Sequence, residues 1–229
     1  MVKRILRLLH SLSSNCGLLP LLAAAVLLMS VRVCAIFDRP VPLPVTPRAE
    51  VTHPDFALID AVLAKRAPEL GLTLRHQLGM AIAEEAQAAG YDPLLILAII
   101  NVESEFEEDA VSSKGARGLM QIQPPTLAFV ARRQGLRLRR EEVAADPALC
   151  VRLGVRYLKS LQVRFGGDLD LALMAYNGGP GKIHRARKNA ELDAFRFYPN
   201  RVRRGFRHFR EGAGLGGDWA LAQRDLARE

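Results

Sequence analysis

The sequence predicts an all-α, mainly helical domain, and three observations point there. Apolar residues recur at spacings of three and four rather than alternating with polar ones. Helix-start signals precede the apolar runs, with Asp-Pro pairs at Asp92-Pro93 and Asp146-Pro147. Strand-like alternation is sparse along the whole chain.

Taken in order, residues 1–35 hold Lys3, Arg4 and Arg7, an apolar run from Gly17 to Val31, and then Val33-Cys34-Ala35. A basic start, an apolar centre and a small final residue describe a secretory signal. The run of roughly 15 residues is shorter than the ~20 that span a bilayer. An uncleaved N-terminal membrane anchor is the second reading of this segment. Lipidation fits less well, because Val31-Arg32-Val33 precede Cys34 where small uncharged residues are wanted. Residues 36–54 carry Pro40, Pro42, Pro44, Pro47 and Pro54, the composition of an extended linker.

The domain is expected over residues 55–211, long enough to bury a core. Thr73 to Ala89 puts Leu74, Leu78, Ile82 and Ala86 on one helix face and stops at Gly90. Asp92 caps the next helix, and Pro93 suits its first position, where a missing N–H costs nothing. The helix opened by Asp146-Pro147 turns Leu149, Leu153, Tyr157, Leu161 and Phe165 inward and ends at Gly166-Gly167. Asp168 stands before another helix-like run, which Asn177 and two glycines close. Residues 212–229 are Gly-rich and then polar, and are expected as a flexible tail.

One side chain is out of place in this pattern. Glu103 lies near the end of the oily helix Pro93-Leu94-Leu95-Ile96-Leu97-Ala98-Ile99-Ile100-Asn101-Val102. Residues three and four apart share a helix face, so Glu103 joins Ile96, Ile99, Ile100 and Phe106. A carboxylate among apolar neighbours is costly to ionise, and its pKa should rise toward that of a proton donor working near neutral pH. A Glu that merely closes a helix and faces water is the commoner case. Glu105, Glu107, Glu108 and Asp109, just downstream, read as such a solvated end.

The surroundings of Glu103 decide between these readings. Glu103-Ser104-Glu105-Phe106, followed by Ala110-Val111-Ser112-Ser113-Lys114-Gly115-Ala116-Arg117-Gly118-Leu119-Met120-Gln121 and a proline, resembles the lytic transglycosylases. The likeness is to their soluble-type (SLT) catalytic domain, a fold related to goose-type lysozyme. Ala175-Tyr176-Asn177-Gly178-Gly179-Pro180-Gly181 matches a second block of the same family. The family often has proline two residues after the Phe, where this chain has Glu108. The resemblance implies a lysozyme-like helical fold that permits a small β-hairpin near 112–123.

It also implies roles. Glu103 would be the single catalytic acid and base. Ser104 would help position the sugar or the carboxylate, and Met120 and Gln121 would line the groove. Tyr176 and Asn177 would flank the scissile bond. Tyr198, in Tyr198-Pro199-Asn200-Arg201-Val202, would correspond to a late active-site tyrosine. Met120 as core filler and Tyr176 as ordinary packing are the structural alternatives.

Most glycosidases use two carboxylates, yet neither motif block embeds a second one; Asp146 and Asp168 look like helix caps. The family chemistry implies instead that the muramoyl 6-hydroxyl attacks its own anomeric carbon and leaves a 1,6-anhydromuramoyl end. A goose-type-lysozyme-like muramidase and a non-catalytic wall-binding assembly module remain the alternatives. Peptidoglycan glycan strands are the expected partner, with secretion-system, pilus or flagellar assemblies as further settings for small enzymes of this kind.

Composition agrees with export. Cleavage after Ala35 would remove Cys16 and Cys34, leaving Cys150 unable to form an internal disulfide and reading as a small core hydrophobe. No His and Cys cluster suggests a metal site, and no cofactor is implied. Of the net charge of +8, residues 1–35 contribute +4 through Lys3, Arg4, Arg7 and Arg32, with no acidic residue. The remaining excess gathers late, between Lys182 and Arg210. No nucleic-acid-reading motif accompanies it, so nucleic acid is set aside as a partner. An acidic wall polymer, an anionic lipid surface and a solvated face without a partner all fit this charge.

Overall fold

The chain divides into two units, Met1–Glu50 and Val51–Glu229. The computed structural model describes residues 53–136 and 146–223, all within the second unit. The leader over 1–35 and nearly all of the proline-rich linker lie outside the described residues. Among those described, no helix is long and apolar enough to cross a membrane.

Eight α-helices carry the described fold: α1 Phe56–Arg66, α2 Leu72–Ala89, α3 Pro93–Glu103, α4 Pro124–Arg133, α5 Pro147–Arg164, α6 Leu169–Gly178, α7 Pro180–Lys188 and α8 Phe197–Gly212. Two short 3₁₀ turns, Leu192–Phe195 and Trp219–Ala222, complete it. The expected caps form. Asp92, Asp146 and Asp168 each accept a backbone N–H of their own first turn, from Leu94, Leu149 and Leu171, at 2.9 Å. Gly90 ends α2 in the left-handed conformation.

Helix α3 is the centre. Every residue from Pro93 to Ile100 is buried, so the helix is apolar all round rather than along one stripe. It packs on α8, while α2 packs on α5 and α6 on both α5 and α7. Helices α3 and α8 run antiparallel, and their backbones approach where Gly205 faces Ala98; a Cβ at Gly205 would already touch the Ala98 methyl at 3.4 Å. A buried ion pair, Arg210 Nη1 to Asp92 Oδ2 at 2.5 Å, ties one end of this pair of helices. The other end carries Glu103 and Tyr198.

Two expectations are corrected. The hairpin near 112–123 reduces to isolated bridges, Val111 with Arg117 and Arg117 with Ile122, with no strand among the described residues. Gly115, Gly118 and the left-handed Gln121 turn this segment too often for a ladder to extend. The tail is not free along its described part. Trp219 packs edge-on to Phe206 at 5.7 Å, Ala222 is fully buried, and Asp92 donates its backbone N–H to the Ala222 carbonyl at 3.1 Å. One Trp and one small residue in a polar, Gly-rich stretch give no periodic signal; Phe206 of α8 and the Asp92 end of α3 supply their contacts.

Candidate active site

Glu103 is the last residue of α3, and the chain turns sharply after it. Glu105 and Phe106 both take positive φ, 54° and 74°, unusual for residues with side chains. Two such residues cost on the order of 1–3 kcal/mol each and persist only where packing enforces them. Here the buried Phe106 ring, edge-to-face with Phe209 at 6.4 Å, is the anchor. The acidic residues Glu105, Glu107, Glu108 and Asp109 are exposed, as a solvated end should be.

The loop that follows folds back over the end of α3. Ser104 Oγ donates to the Leu119 carbonyl at 3.1 Å and lies 3.3 Å from that of Ile100. Gln121 Nε2 donates to the carbonyls of Ala110 and Gly118 at 2.9 and 3.0 Å. The donors of Ser104 and Gln121 are thus committed to the loop. Met120 is turned inward rather than along a groove. Its side chain is fully buried and seated against Gly154 of α5, so only its backbone carbonyl faces the site.

Gly118 takes φ +70° and a Cβ there would lie 3.1 Å from Cys150 Sγ, so the loop needs glycine for both reasons. Cys150 is the buried core residue expected. Gly154 is the sharper constraint. An ideal Cβ there would stand 2.8–2.9 Å from three Met120 atoms, including the Met120 Cβ, which cannot swing away. Gly154→Ala is expected to lose about 1–3 kcal/mol of stability by overpacking. Chemical denaturation measures it; an unchanged midpoint would show that the loop yields freely.

Three tyrosines line up beside the carboxylate. Tyr198, buried on α8, donates its hydroxyl to Glu103 Oε1 at 2.5 Å. The Tyr176 ring lies nearly parallel to Tyr198, with centroids 6.5 Å apart, and its hydroxyl donates to the Met120 carbonyl at 2.8 Å. Tyr157 of α5 follows at 5.5 Å from Tyr176. Burial pushes the Tyr176 and Tyr198 hydroxyls well above the ordinary phenol range, so both stay protonated and act as donors. Asn177, next to Tyr176 in the last turn of α6, is exposed.

Burial raises Glu103 to a pKa of about 7 from its ordinary 4.5. The Tyr198 hydrogen bond and the Arg201 charge pull it back in part. Among the described residues no other carboxylate acts on it, and Asp146 and Asp168 serve as caps. Such a group is half protonated near neutrality and can give a proton or take one.

The structure thus brings Glu103, Tyr176 and Tyr198 together and leaves Asn177 accessible nearby. Arg201 and Tyr157 are the residues that sequence reading assigned elsewhere, to a basic surface and to the core. Arg201 lies three residues after Tyr198, hence on the same face of α8, and that spacing was the available signal.

Residues 80–196 match the family model of the transglycosylase SLT domain. This chain belongs to that family. Solved structures agree with it in fold. Lytic transglycosylase Slt of Pseudomonas aeruginosa, in an inactive Glu-to-Gln form, superposes with a TM-score of 0.54 at 28% identity, over 64% of this chain and 26% of that one. The 70-kDa soluble lytic transglycosylase of Escherichia coli gives 0.57 at 18% identity, over 77% and 34%. A complex of the 70-kDa soluble lytic transglycosylase with bulgecin A gives 0.55 at 18%, over 76% and 33%. The SLT-domain chain described here thus spans between a quarter and about a third of the length of these proteins.

Proposed function

We propose that the chain is a peptidoglycan lytic transglycosylase. It cleaves the β-1,4 bond between N-acetylmuramic acid and N-acetylglucosamine and leaves a 1,6-anhydromuramoyl end. The observation that carries this reading is the Glu103 carboxylate, raised by burial to a pKa of about 7, with a protonated tyrosine on one of its oxygens and, among the described residues, no second carboxylate acting on it. Membership of the SLT family supports the substrate class.

Protonated Glu103 gives its proton to the glycosidic oxygen as the bond from that oxygen to C1 of the muramoyl residue breaks. The 6-hydroxyl oxygen of the same sugar bonds to C1, and its proton passes to the Glu103 carboxylate. The acid is regenerated and no water is consumed. Intramolecular attack needs no second reactant, so most of its entropic cost is already met. The Tyr198 hydroxyl orients the carboxylate and stabilises it in the half of the cycle when it is charged. Arg201 acts in the same direction. Ser104 and Gln121 support the loop beside the cleft, Met120 lends the carbonyl that holds Tyr176, and Tyr176 with Asn177 borders the sugar.

Digestion of purified peptidoglycan followed by mass spectrometry of the muropeptides tests the reading. Anhydro ends are expected. Reducing ends, one water heavier, would instead identify a goose-type muramidase. Lysis that survives Glu103→Gln would identify a wall-binding module acting through a contaminant.

Tyr198→Phe removes a donor to the charged form, so the pKa of Glu103 rises. The alkaline limb of the kcat/KM profile then moves to higher pH, and turnover near pH 7 falls about tenfold with the loss of an orienting hydrogen bond. An unshifted limb would remove Tyr198 from the mechanism.

The leader and the substrate together support export to the periplasm, with the N-terminal segment as signal or membrane anchor. N-terminal sequencing of the exported protein separates these two, since cleavage after Ala35 exposes Ile36.

A further inference from the structure

Helix α8 carries both groups that pull the Glu103 pKa down, Tyr198 and Arg201, yet its sequence makes a weak helix. Its 16 residues include five arginines and one acid, Glu211, with Gly205 at mid-length. Arg201–Arg204, Arg203–Arg207, Arg204–Arg207 and Arg207–Arg210 stand three or four apart, where like charges repel along a helix. An interior glycine weakens it further. The seat of α8 therefore depends on what packs over it.

Residues 213–223 follow α8, lie beyond the span 80–196 that matches the family, and cross the helix. Two of its arginines hold them on the way. Arg210 Nε donates to the Gly216 carbonyl while Nη1 pairs with Asp92 of α3. Arg203 pairs with Asp170 in the first turn of α6 and lies against the Trp219 ring, 5.0 Å from its centroid. Arg203 Nε and Asp170 Oδ1 are buried without a hydrogen bond, so the ring face compensates a guanidinium that the ion pair satisfies only in part. At the far end Gln223 bridges to Tyr91 and accepts from Gln162 Nε2 of α5. The segment thus joins α8 to the start of α3, to α5 and, through Arg203, to α6. We infer that residues 213–223 are a clasp that seats α8 and keeps the Tyr198 hydroxyl on Glu103, with Trp219 and Arg203 as positioning residues. The role presupposes Glu103 as the catalytic acid.

Carbon-detected NMR titration of Glu103 in the full chain reads the clasp without recourse to activity. Trp219→Ala removes the ring beside Arg203 and frees the segment. With Tyr198 and Arg201 drawn back, the Glu103 midpoint is expected to rise from about 7 to about 8, the scale of one hydrogen bond to a charged group. Turnover near pH 7 should fall about tenfold, as for Tyr198→Phe. Tyr198→Phe added to Trp219→Ala should move the midpoint much less than it does alone, because the hydrogen bond is already lost. Trp219→Phe, which keeps an aromatic face, should hold the original midpoint. Should Trp219→Ala not fold, Trp219→Leu keeps apolar burial without the ring face and serves the same cycle. An unmoved midpoint overturns the proposal, as do Trp219 and Tyr198 shifts that simply add, since a loss of stability alone leaves Glu103 titrating as before. A Glu103 that titrates near 4.5 in the unsubstituted protein would sink the acid reading instead, so the two fail separately.

Discussion

Glu103→Gln is expected to lower anhydromuramoyl formation about a thousandfold, the scale of removing a positioned general acid. The folded structure should survive, because Gln is isosteric and its carbonyl oxygen still accepts from Tyr198. Stability should in fact rise at alkaline pH. The folded pKa of Glu103 lies above its unfolded value, so the protonated group costs nothing below about 4.5, and the cost grows as pH rises to about 7. At about 1.4 kcal/mol per tenfold change in proton affinity, the full cost is on the order of 3 kcal/mol. Urea unfolding at pH 8 should therefore favour the Gln variant by up to about 3 kcal/mol, whereas at pH 4 the two proteins should unfold together. A Gln variant that is no more stable at pH 8 would mean that Glu103 ionises at its ordinary value, and the acid–base argument would fail with it. The same protonation accounts for the expected activity profile: kcat/KM needs the acid form, so it declines above about pH 7.

Arg210→Ala is expected to give the largest loss of stability, about 3–5 kcal/mol, because it leaves the Asp92 carboxylate buried without its partner. Exposed ion pairs such as Arg196 with Asp193 contribute little by comparison. The Asp92–Arg210 pair has a second consequence. It fixes the register of α3 against α8 at the end opposite the active site, and that register is what delivers Tyr198 to Glu103. Turnover should fall along with stability, and Arg210→Lys should recover part of both. Urea midpoints and anhydro-product rates measure the two effects; a change under about 1 kcal/mol would show that water already reaches Asp92.

Some of this is legible in the sequence alone. The Asp-Pro starts and the stops at Gly90 and Gly166-Gly167 are local devices, and they mark helix ends in the structure as they do in the chain. Glu103 stood out because an ionisable group at the end of an eight-residue buried run is costly wherever the helix packs. Tyr176 and Tyr198 came from resemblance, and no periodicity distinguished them from packing residues.

What the sequence by itself determined is therefore helices α2, α3, α5 and α6, the signals at their ends and the one carboxylate forced toward a high pKa. Only the tertiary structure decided which groups meet that carboxylate. Tyr198 is 95 positions from Glu103 and reaches it because α8 lies antiparallel to α3, allowed by the Ala98–Gly205 approach and held by Asp92–Arg210. Met120 went inward for a similar reason: the gap over Gly154, on another helix, has the volume of its side chain. Caps and helical faces depend on neighbours within a turn or two, which the order of residues specifies directly. The direction of a loop side chain, or the partner of a buried hydroxyl, depends on packing between segments far apart in the chain, and that is settled only when they close on one another.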